Sequence, residues 1–121
     1  MVLGVFVGSL STAQTEASAH IPTQQINLIA LGDSYTAGNG ALDYYGPSGC
    51  YRSHNNYSEQ FVEIAQAAGH TVSYLNRACG GATSSDIPNQ LQSLTRKQKD
   101  DADLVFVSMG GNDAELSLIH I

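Results

Sequence analysis

Three short clusters hold the side chains and bare peptide groups with chemistry to offer. In the first, Ser34 follows Gly32, which permits a tight turn that presents the hydroxyl. The Ser34 N–H, at the start of a helical turn, is placed to donate to a developing oxyanion. In the second, the pair Gly80 and Gly81 lets substrate approach the main chain, and Gly81 offers another N–H. In the third, Asn112 adds a side-chain amide after Gly110 and Gly111. A nucleophile with three converging donors is suited to attack on an ester carbonyl, where loss of one donor typically costs ~10²–10³ in rate. Taken singly the signals are weak. Ser34 is equally a helix N-cap, and Gly81 and Asn112 are equally turn residues.

The elements around these clusters give them meaning. Residues 25–31 (QINLIAL) form an apolar run with β-branched residues and end at Gly32, as a buried strand entering a loop would. Residues 38–51 hold four glycines and a proline and are expected to be a long surface loop. Tyr57, Phe61, Ile64, Ala65 and Ala68 lie on one helical stripe, with Asn56 as cap, Glu59 three residues on and Gly69 as stop. Residues 71–75 form a second strand, and residues 88–94 a short helix with Leu91 and Leu94 inward. Residues 96–103 are a charged, solvated connection. Residues 104–109 (LVFVSM) are apolar on both faces, as in a central strand of a parallel sheet. This order predicts an α/β three-layer fold. Ligands of such sheets bind beyond the carboxyl ends of the strands, and all three clusters fall there.

In these residues the chain resembles the SGNH hydrolases, the GDSL lipases and esterases. Gly32-Asp33-Ser34 is similar to the first family block, Gly81 to the second and residues 110–113 (GGND) to the third. The similarity is closer to the secreted microbial lipase-like branch, through residues 32–38, Cys50-Tyr51-Arg52, residues 78–82 and residues 110–114, and covers about residues 26–115. The resemblance implies a flavodoxin-like α/β/α SGNH hydrolase fold of about five parallel strands, of which about three are present here. It also implies a serine esterase or lipase with Ser34 as catalytic nucleophile and Ser34, Gly81 and Asn112 as oxyanion hole. The substrate would be a lipid or other acylated ester, with no metal and no cofactor.

Members of that branch carry a disulfide where Cys50 and Cys79 stand. Such a bridge would close a loop of about 30 residues, worth ~3–4 kcal/mol in the chain-entropy model. The alternative is two buried free thiols in a reducing compartment. Asp33 is expected to orient the nucleophile loop, since neighbours on a strand end point to opposite sides. Asp113 is expected to stabilise a turn, and Arg52 and Arg77 to be surface or loop-anchoring residues rather than substrate clamps.

The family's general base is a histidine in a D-x-x-H block. Of His20, His54, His70 and His120, none has an aspartate three residues earlier. The chain therefore reads as residues 20–121 of the N-terminal part of a hydrolase domain, ending before the catalytic histidine and inactive alone. Residues 116–121 fall where the resemblance fades.

Residues 2–10 are apolar and precede Ala17, Ser18 and Ala19, the pattern of a secretory signal peptide over residues 1–19. The positively charged start of such a peptide is missing, because no Lys or Arg occurs before Arg52. Secretion is expected on this pattern and on the cysteines. The 121 residues, 42% apolar and 13% charged, suit a folded chain of at most one domain and argue against disorder. Five Lys and Arg against eleven Asp and Glu give a net charge of −6, which argues against nucleic acid and acidic membrane surfaces as partners. No apolar run reaches the ~18 residues of a membrane span, and a monomer is expected. A non-catalytic flavodoxin-like binding domain is the competing reading, disfavoured by the lack of G-x-x-x-x-G-K-[ST] and G-x-G-x-x-G patterns.

Overall fold

The strand predicted over residues 25–31 is the middle of the sheet. In the computed structural model, which describes residues 22–114, β1 (Gln25–Gly32) is buried along nearly its whole length. The expected leader over residues 1–19, His20, His120 and residues 116–121 lie outside the described residues. β1 pairs in parallel with β4 (Thr71–Asn76) on one side and β5 (Leu104–Ser108) on the other. The order β4-β1-β5 is second-first-third among the parallel strands, the start of a flavodoxin-like order.

The connections explain which face each strand presents. α1 (Ser34–Ala37) is one turn, capped by the Asp33 carboxylate, which accepts from Tyr35 N at 2.9 Å. It ends at Gly38, whose φ of 88° suits glycine. Residues 38–51, expected as loop only, contribute β2 (Tyr44–Tyr45), which forms a minimal antiparallel hairpin with β3 (Arg52–Ser53). α2 (Tyr57–Ala67) starts at Asn56, whose Oδ1 accepts from Glu59 N at 2.7 Å. Phe61 of α2 meets Phe106 of β5 edge to face with ring centroids 5.2 Å apart. Ala30 and Phe106 are register partners, so α2 covers the face of the sheet that they share.

The opposite face carries Ile29 and Leu31, which pack with Leu94, Leu75, Ile87 and Ala102. These come from β1, β4 and the segment holding a 3₁₀ turn (Ser84–Asp86), α3 (Ile87–Gln92) and α4 (Arg96–Asp100).

Three expectations need correction. The α2 stripe is narrower than expected: Tyr57 and Phe61 pack on Phe106 and Ala65 is buried, whereas Ile64 is 70% exposed and Ala68 is exposed. On α3, Gln90 is buried and Leu91 is not, because Gln90 pairs with the backbone of β1. The connection over residues 96–103 contains α4, held by a capping box in which Gln98 N donates to Thr95 Oγ1 at 3.1 Å and Thr95 N to Gln98 Oε1 at 2.8 Å. β5 is an edge of the three described parallel strands. Val105 and Val107, register partners of Ile29 and Leu31, are 49% and 55% exposed, since α3 and α4 cover β1 on that face but stop short of β5.

Candidate active site

The carboxyl ends of β1 and β5 meet around one cavity. It has a volume of about 450 Å³ and is lined by Asp33, Ser34 and Tyr35 after β1 and by Ser108, Met109, Gly111 and Asn112 after β5. This is the crevice beside the first strand where a sheet of this order changes direction, the usual place for a ligand.

Several backbone contacts hold the Ser34 turn against its neighbours. Asp33 N donates to Ser108 O at 3.3 Å, and Thr36 Oγ1 donates to the same oxygen at 3.3 Å. A β-carbon on Gly32 would lie 2.4 Å from Ser108 O, so only glycine lets the strands close here. The buried Gln90 clamps the residue from the other side: its Oε1 accepts from Gly32 N at 2.9 Å and its Nε2 donates to Gly32 O at 2.8 Å. Nothing in the sequence marked Gln90, because a polar residue in a short helix reads as surface. The Asp33 carboxylate takes the Tyr35 N–H and leaves that of Ser34 without a partner among the described residues. Asp33 is thus a helix cap that shapes the nucleophile turn.

The second cluster is tied to the first and third. Cys79 N donates to Gly32 O at 3.1 Å, and Arg77 N to Ala30 O at 2.8 Å. Gly81 has a φ of +84°, a conformation that favours glycine, and open space where a β-carbon would stand. Gly81 lines a neighbouring cleft, not the Ser34 cavity itself. The two are joined by Asn112, whose Nδ2 donates to Ala82 O at 2.9 Å. An amide nitrogen has two hydrogens, so this bond fixes the side chain and leaves one donor over. Ser34 and Asn112 are therefore brought to one cavity, whereas Gly81 lies in the adjoining cleft.

Cys50 and Cys79 form a disulfide, as the resemblance implied. Gly80 N donates to Cys50 O at 2.8 Å beside it. The bridge and this bond tie the loop after β2 to the segment carrying Gly81. Arg52 anchors the same segment, its Nε donating to Ala78 O at 2.7 Å.

Neither described histidine is placed to serve Ser34. His70 lies at the start of β4, the opposite edge of the sheet, and its Nδ1 accepts from Gln24 N at 3.1 Å. His54 stacks on Tyr45 with centroids 4.1 Å apart and bonds the Glu59 carboxylate at 2.9 Å, which raises its pKa. Among the described residues no group of His, Cys, Asp and Glu is arranged to hold a metal ion, and no helix is long and apolar enough to cross a membrane.

Asp113 ties the third cluster to the second. Ser84 N donates to both of its carboxylate oxygens at 3.0 Å, and Ser84 Oγ donates to Oδ1 at 2.5 Å. The Ser84 hydroxyl, followed by its N–H, holds the exposed carboxyl below its ordinary value of 3.8. A depressed folded-state pKa stabilises the fold above the unfolded value and stops doing so as pH falls through the folded one. Asp113→Asn is expected to be less stable than the parent at pH 6, with the difference vanishing in acid below the carboxylate range. Urea unfolding of both proteins at pH 6 and pH 2.5 checks this.

Residues 30–119 match the family model described as GDSL-like lipase/acylhydrolase. The chain is 39% identical over 93 residues to a lipase of Streptomyces rimosus, covering 75% of this chain and 32% of that protein. It is 34% identical over 117 residues to Lipase 2 of Streptomyces coelicolor, covering 88% and 38%. Among solved structures, an extracellular lipase from Streptomyces rimosus superposes with a TM-score of 0.63 at 32% identity, covering 76% of this chain and 37% of that one. A phospholipase A1 from Streptomyces albidoflavus superposes with a TM-score of 0.61 at 33% identity, covering 75% and 36%. The chain thus spans about a third of the length of these relatives, between 32% and 38%. With its sheet order, its strand-end clusters and these matches, the chain belongs to the GDSL-like lipase/acylhydrolase family.

Proposed function

We propose that these residues are the nucleophile-bearing part of a secreted serine ester hydrolase acting on a lipid or other acylated ester. Ser34 Oγ attacks the carbonyl carbon, and the carbonyl oxygen takes up negative charge. The N–H groups of Ser34 and Gly81 and the free N–H of Asn112 surround that oxygen. A histidine from outside this chain removes the serine proton and returns it to the departing alcohol, after which water releases the acyl group by the same route. The chemistry calls for no metal or organic cofactor. The observation that carries the reading is that Ser34 and Asn112, far apart in sequence, line one cavity at the carboxyl edge of the sheet. Secretion is supported by the Cys50–Cys79 disulfide, by the apolar run over residues 2–10 and by the likeness to an extracellular lipase.

Because His54 and His70 are committed elsewhere and neither His20 nor His120 has an aspartate three residues earlier, the 121 residues alone are expected to hydrolyse p-nitrophenyl butyrate no faster than the buffer background. Turnover by the purified 121-residue chain at the rate of a complete esterase, lost in Ser34→Ala, would contradict the claim that the base lies outside.

A further inference from the structure

β4 ends at Asn76, the register partner of Ala30, while β1 runs on to Gly32. Beyond that point Cys79 N still donates to Gly32 O at 3.1 Å, but the Gly32 N–H finds its acceptor on a side chain, Gln90 Oε1 at 2.9 Å. Gln90 Nε2 donates to Gly32 O at 2.8 Å, so one amide meets both backbone groups of that residue as a neighbouring strand would. We propose that Gln90 is a positioning residue for the ester hydrolysis: through Gly32 it sets the direction in which the Ser34 hydroxyl points.

Gln90 is 8% exposed and does not line the Ser34 cavity, so it acts through the backbone and not on the substrate. Its partners fix the orientation of the amide, since the N–H requires the oxygen and the carbonyl requires the NH₂. Gly32 depends on such a clamp. Its φ of +149° favours glycine, a residue that moves between backbone wells at little cost. The peptide joining Gly32 to Asp33 is held by hydrogen bonds, from Gln90 and Cys79 to its oxygen and from its N–H to Ser108 O at 3.3 Å. That plane leads directly into the Asp33 cap and Ser34, and turning it would swing the hydroxyl away from Asn112 in the same cavity. Gln90 is anchored in turn to the third cluster, because α3 follows the 3₁₀ turn whose Ser84 bonds Asp113. α3 therefore joins the segment of Asn112 to the turn of Ser34.

This role rests on the hydrolase reading, and it is tested on the intact enzyme at a temperature well below unfolding. Gln90→Met keeps the length of the side chain and loses both bonds. It is expected to lower kcat for p-nitrophenyl butyrate about 10²-fold, the scale of a misplacement near 1 Å, with KM within about twofold. Gln90→Glu still accepts from Gly32 N but, as a carboxylate, has no hydrogen for Gly32 O. Burial raises the pKa of such a carboxyl, and once protonated it donates as the amide did. Its kcat, taken relative to the parent at the same pH, should therefore climb as pH falls from about 8.5 to about 5.5, while that of Gln90→Met stays low throughout. A glutamine that only stabilises the fold would leave kcat of the folded enzyme and its pH profile alone. Parental kcat in Gln90→Met overturns the proposal, as does an equal loss in the two variants at every pH. If Gln90→Met does not fold, Gln90→Glu decides alone: a ratio that rises in acid supports the role, and a flat one overturns it. Fluorophosphonate labelling separates the two readings. No labelling of Ser34 in the parent overturns the hydrolase reading, whereas labelling of Gln90→Met at the parental rate overturns only the role of Gln90.

Discussion

Ser34→Ala is expected to lower kcat/KM for a short-chain ester by roughly 10⁶ in the intact enzyme, with the fold unchanged. Removing the nucleophile of a serine hydrolase typically costs on the order of 10⁶ in kcat, because the residual oxyanion hole cannot replace the covalent step. The same substitution should be silent for stability. The Ser34 side chain has no hydrogen-bond partner among the described residues, and its carbonyl, which accepts from Gly38 N and Asn39 N at 3.0 Å, is kept by alanine. A change within ±0.5 kcal/mol, about the range of surface substitutions, is therefore expected. Steady-state kinetics with urea unfolding separates the two effects. A fluorophosphonate should add its mass to the peptide containing Ser34 in the parent and nowhere in the variant. An equal loss of activity and stability would mean that Ser34 is only a structural residue at the helix start.

Replacing both cysteines, Cys50→Ser with Cys79→Ser, is expected to have the largest effect on stability. The bridge joins residues 29 apart, and closing a loop of that size is worth ~3.5 kcal/mol in the chain-entropy model. That corresponds to a fall in Tm of roughly 10 °C or more. The loss has a functional consequence as well. The Gly81 segment hangs on β1 through Cys79 N and Arg77 N, and on the loop after β2 through the bridge and Gly80 N. With the bridge gone, the N–H of Gly81 is held less firmly where charge develops, so kcat should fall while KM changes little. Calorimetry of the parent with and without reductant, beside the double variant, checks the stability part. A reduced parent as stable as the oxidised one would contradict it.

Most of what positions the candidate site was legible in the sequence because hydrophobic pattern and turn chemistry agree there. The run over residues 25–31 could only be a buried strand, and its abrupt end at Gly32 placed Ser34 at the sheet edge. Asn56 and Gly69 bounded α2 by cap and stop, although the stripe was drawn too wide, and Ile64 and Ala68 are exposed. A short helix has few apolar positions, and the face it buries is decided by what it packs against.

What the sequence hid is polar. Gln90 clamping Gly32, Ser84 bonding Asp113 and Arg52 bonding Ala78 O are contacts between segments distant in the chain, and no periodicity marks them. The helix α4 was hidden for a related reason. It is five residues long and lacks an apolar stripe, so its only signal was the capping pair Thr95 and Gln98.

A crystal structure of the intact protein after reaction with a fluorophosphonate ester puts the central claim to the most direct test. The adduct places a tetrahedral phosphorus on Ser34 Oγ and a phosphonyl oxygen where the ester oxyanion would form. The account predicts that this oxygen lies within hydrogen-bond distance, about 2.7–3.1 Å, of Ser34 N, Gly81 N and Asn112 Nδ2 together. An oxygen directed into solvent, with Gly81 and Asn112 donating elsewhere, would contradict it.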